Sequence, residues 1–262
     1  MCAKRAPLIE SSIAEVAERL ATAEKTVVFS TLAEVVLKHD RQLVERICAA
    51  EDTLVEANDA GALLHLRGRP YHVGPFVNVY NERTAAFLAR GGACNFCLPP
   101  ETPAATIRAL CKATRDLDAT IEVQVFGRIP LALSARCYHA RAHGRTKDSC
   151  QFVCEEDPDG LQLDTFDGRP FLAVNGVQTL SYDYLNLVQE VADLKAMGVT
   201  RFRLSPHCCD MVEVASIFRA VLDQRLAVAE AVAWLDLLQL KAQFSNGFYY
   251  SKPGHSWTGP SG

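Results

Sequence analysis

A chain of 262 residues, 49% apolar and 22% charged, has the length and composition of one globular domain of α/β-barrel size, which excludes a disordered or low-complexity protein. A net charge of −4 and a pI near 6.0 provide no basic footprint for nucleic acid. No apolar run approaches the roughly 18 residues of a membrane span, and the N-terminus lacks the roughly 7–15-residue apolar stretch of a secretory leader, so a cytoplasmic protein is expected.

Ser11 or Ser12 can cap a helix running to residue 23, with Ile13, Val16, Ala17 and Leu20 on one face. Residues 26–32 read as a buried strand. A helix over 33–49 follows, with Leu43, Val44 and Ile47 inward. The next strand, 53–57, ends in Asn58-Asp59. A short helix and an apolar strand over 71–80 come next. Residues 82–90 are helical, and Gly91-Gly92 stops them. Residues 93–98 form a strand ended by Pro99-Pro100, and Thr102 opens a helix over 103–117. The run 120–126 alternates apolar and polar side chains and meets Gly127 and Pro130, which predicts a strand followed by a loop. Beyond that loop the pattern predicts a strand over 170–177, a helix over 182–197 stopped by Gly198, a strand over 201–204, and helices over 211–222 and 227–240. Residues 138–170 and the tail after residue 251 carry the least pattern. Alternating strands and helices argue for a parallel sheet with crossover helices, either a (β/α) barrel or an open doubly wound sheet.

The loop between these halves holds the chemistry. Cys137, Cys150 and Cys154 lie in it, with twelve and then three residues between them. The intervening residues are small, basic and polar, with Gly144 as a breaker, and show no apolar face. Thiols clustered on such a loop suggest an inorganic core. The chain has ten cysteines, and in a reducing compartment clustered thiols bind metal or do redox chemistry more often than they pair. Zinc sites bring ligands in close pairs on two knuckles. Wide thiolate spacing suits a [4Fe–4S] cluster better, with zinc or unliganded thiols as the alternatives.

The runs L-A-L-S-A-R-C, ending at Cys137, and T-K-D-S-C-Q-F-V-C, ending at Cys154, resemble the collagenase-like peptidase superfamily. Within it they resemble the UbiV family of oxygen-independent ubiquinone biosynthesis. Corroborating segments are V-F-S-T-L-A (28–33), V-E-A-N-D (55–59), N-G-V-Q-T-L-S (175–181), R-L-S-P (203–206) and N-G-F-Y-Y (246–250). The resemblance implies a TIM-like (β/α) barrel over 1–262, with the cysteine loop at about 137–154 as an insertion. It implies a [4Fe–4S] cluster held by Cys137, Cys150, Cys154 and Cys2, since Cys2-Ala3-Lys4-Arg5 fits the family's N-terminal segment. It further implies a heterodimer with a UbiU-like paralogue, hydroxylating the ring of a ubiquinone precursor without dioxygen, with prephenate as oxygen donor. A UbiT-like lipid-binding protein would present the prenylated ring. The family places a strand before its first cluster cysteine, so Met1 is expected to mark a mis-called start, with the first barrel strand missing.

In a barrel the strand ends carry the chemistry, which singles out Glu56, Asn58, Asn78, Glu101, Arg128 and Arg203. Cys94-x-x-Cys97 lies inside a strand, where cysteine is expected to pack as a small apolar residue. Cys48 and Cys111 fall on helices as core, and the adjacent Cys208 and Cys209 are expected not to ligate. His139 and His143 flank the thiols and are expected to hydrogen-bond the loop, with cluster ligation the alternative. Arg136, Arg141, Arg145 and Lys147 either offset thiolate charge or form a solvated face. A Cys–His motif and an H-E-x-x-H are both absent, so peptidase activity finds no support. Two further readings are a structural or redox-sensing cluster in a non-catalytic subunit, and RNA-base hydroxylation, against which the acidic balance weighs.

Overall fold

The computed structural model describes residues 6–259, with side chains from residue 11 onward. Six strands run parallel in sequential order: β1 (Val28–Ser30), β2 (Leu54–Ala57), β3 (Tyr71–Val73), β4 (Ala93–Cys97), the first half of β5 (Thr120–Leu133), and β9 (Arg201–Leu204). Helices α2 (Lys38–Ala49), α3 (Ala60–Leu66), α4 (Glu82–Arg90) and α5 (Ala104–Thr114) cross between them. The order contains no reversal, so the sheet is wound in one sense and lacks the switch point of a doubly wound fold. Val55, Val73, Phe96, Ile121 and Val123 share one buried cluster with Val44, Leu66, Leu88, Ile107 and Leu110 of the helices. One face of the sheet therefore packs on helices, as burial of that apolar area requires.

The other face is polar and concave. Ser30, Glu56, His72 and Asn95 occupy consecutive register positions across β1 to β4. Arg203 on β9 binds Glu56 on β2 with two guanidinium nitrogens. Those strands are four steps apart, about 19 Å across a flat sheet at ~4.8 Å per step. No arginine spans that distance, so the sheet curls into a trough. Among the described residues no pairing joins β1 to β9 or β10, and the trough is an open half-barrel.

β5 does not stop at Gly127. Its first half pairs with β4 and β9, and its second half pairs antiparallel with β8 (Gln178–Asn186). Gly127 makes the change of partner possible. Its φ is +104°, and a Cβ there would lie 2.7 Å from Ser205 Cβ and 2.9 Å from His207 Nε2. Pro130, which has no amide to donate, sits between two register shifts. β7 (Pro170–Asn175) and β6 (Leu161–Asp164) extend this antiparallel layer, and β10 (Phe244–Ser245) joins β8 in parallel.

Several expectations change. Residues 178–186 are strand, where the pattern predicted a helix from 182. Arg128 donates to the Ser181 and Tyr182 carbonyls and stacks its guanidinium 4.5 Å from the Tyr184 ring, which holds the segment extended against β5. The helix α7 is only Val191–Met197. The strand expected over 71–80 ends at Val73, because Pro75 opens a 3₁₀ turn and Asn78 takes a left-handed conformation, φ 61°. Thr102 turns its hydroxyl back to the Pro99 carbonyl and leaves Pro103 to start α5. Residues 138–170 hold a short helix α6 (Tyr138–Ala142) and β6. Helix α1 (Ala6–Thr22) starts before Ser11, and Ile13, Val16 and Leu20 are exposed. α8 (Met211–Leu222) matches its predicted span, and α9 is Val228–Asp236. No described helix is long and apolar enough to cross a membrane.

The N-G-F-Y-Y segment anchors the C-terminal region. Asn246 Nδ2 and Tyr250 Oη both donate to Glu190 Oε1 at 2.9 Å, and Tyr249 Oη donates to Asp193 Oδ2 at 2.5 Å. Glu190 is 3% exposed, and its Oε2 meets no hydrogen-bond partner among the described residues. Burial outweighs the two donated hydrogen bonds and pushes its carboxyl up to about 7. A carboxyl raised by folding contributes its stability below the unfolded value of 4.5 and loses it as pH rises through about 7. Glu190→Gln is therefore expected to be more stable than wild type at pH 8, by on the order of 2 kcal/mol. Urea midpoints measured from pH 4 to pH 8 should flatten over that window in the variant.

Candidate functional site: a polar trough and a cysteine loop at its rim

Three of the separated sequence segments meet in the trough. Ser30, Glu56 with Asn58, and Arg203 come from V-F-S-T-L-A, V-E-A-N-D and R-L-S-P. Asn58 Nδ2 donates to Ser30 Oγ at 2.8 Å and to Glu56 Oε1 at 3.1 Å, and Ser30 donates to the same carboxylate at 3.0 Å. Arg203 Nε donates to Glu122 Oε1 at 2.5 Å, and Asn95 Nδ2 to Glu122 Oε2 at 2.9 Å. Burial alone would raise the Glu56 carboxyl. The hydrogen bonds and charge of Arg203, with Asn58 and Ser30, outweigh it and hold the group below its ordinary value. Burial, then the charge of Arg201, lowers His72 and leaves it a neutral imidazole at pH 7. The trough thus offers two carboxylates, one arginine bonded to both and a neutral histidine in a mostly dry setting. Ordinary barrel interiors are filled by branched apolar side chains, and this one is not.

Of the other strand-end residues, Arg128 is buried in the antiparallel layer. Asn78 is exposed, and Glu101 accepts a hydrogen bond from Tyr80. Reading the strands for periodicity alone missed Ser30, His72, Asn95 and Glu122. The signal was available: polar residues occupy alternate positions of strands whose other positions are apolar.

The cysteine loop sits on the antiparallel layer. Cys137 caps α6, its Sγ accepting the Ala140 amide at 3.4 Å, and its thiol donates to the Gly176 carbonyl at 3.3 Å. Cys137, Ala140 and Val177 form a small buried cluster against which Leu133 and Cys150 pack. Gly176 and Val177 are the tip of the β7–β8 hairpin, so the segment N-G-V-Q-T-L-S is the backing of the thiol site. Cys154 lies on the 3₁₀ turn Val153–Glu155 that follows Cys150. Lys147 binds both carboxylate oxygens of Glu34, at 2.9 and 3.0 Å, and ties the loop to the segment after β1 at the rim of the trough. Arg145 donates to the Cys150 carbonyl at 3.1 Å. Arg136 and Arg141 line a cleft of about 250 Å³ beside Cys137. That volume is several times the ~30 Å³ a water occupies. The donor set fits a thiolate-bound inorganic group: one thiol capping α6, a second packed against the small cluster that holds it, a third on the next turn, an apolar wall and nearby arginines. Cys2, the expected fourth ligand, lies outside the described residues.

The sequence model of peptidase family U32 matches residues 4–259, which takes in the trough, the cysteine loop and the C-terminal anchor. The chain belongs to peptidase family U32. No solved structure matches it.

The geometry of this U32 member departs from what the word peptidase suggests. His207, Cys208, Cys209 and Asp159 stand together, but the Arg128 amide donates to His207 Nε2 at 2.9 Å. His207 Nδ1 lies 3.5 Å from Asp159 Oδ1. Both imidazole nitrogens are engaged, so the ring holds no free base for a neighbouring thiol. Burial and Asp159 raise both Cys208 and Cys209, which keeps them protonated.

The remaining thiols divide by position. Cys94 and Cys97 lie on β4 in different surroundings, and Cys94 is the extra residue where the pairing with β3 shifts register. Cys94 Sγ donates to the Tyr71 carbonyl at 3.4 Å. Cys97, expected as apolar packing, instead lies among the charges of Arg203, Glu122 and Glu56, and burial raises its thiol strongly. Cys48 and Cys111 are core residues, both raised to about 11 by burial.

Proposed function

We propose that this U32 protein is the UbiV-type iron–sulfur subunit of an oxygen-independent hydroxylase acting on the ring of a ubiquinone precursor. It would work as a heterodimer with a UbiU-like paralogue, with prephenate as oxygen donor and a UbiT-like lipid-binding protein presenting the prenylated ring. The observation that carries the reading is the packing of Cys137 and Cys150 against one hairpin tip, on a loop tied by Lys147–Glu34 to the rim of a polar trough. Cys137, Cys150 and Cys154, with Cys2, would hold the [4Fe–4S] cluster. When bound, such a cluster supplies electron transfer or substrate activation. Arg136 and Arg141 offset the thiolate charge, while Arg145 holds the loop backbone and Lys147 ties the loop to Glu34. The buried Glu56–Arg203–Glu122 network keeps the trough shaped and polar, which suits a ring substrate carrying hydroxyl groups.

A second reading has its own support. The thiols pack on the hairpin and hold loop backbone, as a structural or redox-sensing cluster would require, with the partner chain doing the chemistry. The test is ring hydroxylation by the anaerobically reconstituted pair, supplied with prephenate and the prenylated precursor. Turnover is expected only when both chains are present and this one carries iron and acid-labile sulfide. Full turnover by the partner alone would refute the catalytic role, and bound zinc in place of iron would refute the cofactor.

A further inference from the structure

Beside the thiols stands a second group of metal-type donors. His139 and His143 are four residues apart on α6 and its C-cap, on one face. Asp157, three residues beyond Cys154, meets them from the other side of the loop. His139 Nε2 lies 3.0 Å from Asp157 Oδ2, His143 Nε2 lies 3.6 Å from the same oxygen, and all three donor atoms fall within 4.8 Å of one another. Two ligands about 2.0–2.1 Å from one tetrahedral zinc are roughly 3.3 Å apart, which these distances bracket.

The hydrogen bonding of His139 adds a second, independent indication. The ring is fully buried, and its Nδ1 faces the Val174 carbonyl at 3.0 Å, so that nitrogen must carry the proton. Nε2 then faces a carboxylate, also an acceptor. An Nδ1–H fixed on a backbone carbonyl, which leaves Nε2 to face an ion, is the orientation in which a histidine ligates a metal. The two rings lie parallel at 5.4 Å, with His143 partly exposed, which gives the site an entry path.

We propose that His139, His143 and Asp157 form a mononuclear divalent-metal site, zinc being the ion the spacing fits, with water in the fourth position. It is separate from the thiolate group and clips the Cys137 side of the loop to the segment after Cys154. The inference does not rest on the iron–sulfur reading, because zinc and iron are read separately in one sample.

The test uses the full chain, purified anaerobically and supplied with zinc chloride. Zinc content by mass spectrometry of the metals and X-ray absorption at the zinc edge are measured beside iron and sulfide. The expected result is one zinc per chain, with a nitrogen and oxygen shell at about 2.0–2.1 Å. His143→Ala, at a partly exposed position, and the near-isosteric Asp157→Asn are each expected to weaken zinc at least about tenfold in competition with a chelator. Iron content should be unchanged in His143→Ala. A sulfur shell near 2.3 Å would assign the zinc to the cysteines and overturn the proposal. No bound zinc, or wild-type affinity in both variants, would leave a bare ion pair and overturn it as well.

Discussion

Replacing Cys150 with alanine is expected to empty the thiolate site. Anaerobically reconstituted wild-type chain should carry about four iron and four sulfide, and the variant near background. Cys150 is chosen because its side chain packs against the small cluster of Cys137, Ala140 and Val177 and is only partly buried, so the truncation leaves the main core untouched. The main sheet and its helices share no buried residue with that small cluster. Circular dichroism and the midpoint of the main unfolding transition should therefore stay close to wild type while the visible absorption disappears. The paired measurement is ring hydroxylation by the heterodimer. Loss of turnover with the heterodimer intact supports a catalytic cluster. Intact turnover sinks that role, and loss of pairing supports the structural reading. Iron content equal to wild type would remove Cys150 from the ligand set.

Arg203→Met is expected to be among the most destabilising substitutions in the chain. Arg203 is the cation between Glu56 and Glu122, both nearly buried. Removing one partner of a buried ion pair costs about 3–5 kcal/mol, because the remaining charge stays desolvated. Two carboxylates are stranded here, so the upper end is expected at pH 7. The pH dependence gives the sharper readout. In wild type, Glu56 is held below its unfolded value of 4.5, so its contribution is present above that pH and lost as pH falls through the lower folded value. In the variant, burial without the arginine raises the carboxyl. Its contribution then grows as pH falls, and the slope of stability against pH below about 6 should have the opposite sign. Urea unfolding of both proteins between pH 4 and pH 7 measures it. Parallel curves would mean that Arg203 does not set the ionisation of Glu56.

Much of the parallel half of the fold was legible, because its elements obey one period each. Residues 82–90 and 211–222 repeat apolar positions at helical spacing and are helices over those spans. The antiparallel layer was not legible. Tyr182, Tyr184 and Leu185 suit either a helix or a strand, and only the distant Arg128 and the swing at Gly127 decide between them. The same holds for the site. Three cysteines on an unpatterned loop are visible in a linear reading, and so is the pair His139 and His143. Asp157 is one acid among many until the loop folds back on α6, and Glu122 is one polar position in an alternating strand until Arg203 reaches it. Arg203 itself was placed at a strand end, but its partners lie on strands that are not its sequence neighbours.

The bond between Arg203 and Glu56 joins residues 147 positions apart. On the ribosome, β1 to β5 emerge long before β9 exists, and throughout that interval Glu56 and Glu122 have no cation to accompany them into a dry interior. The nascent N-terminal half can form its helices and pair its strands, but it cannot draw the sheet into its final curve. Curling of the trough is thus a late event of synthesis, and until β9 emerges the edge of β5 that it pairs with has no β9 partner.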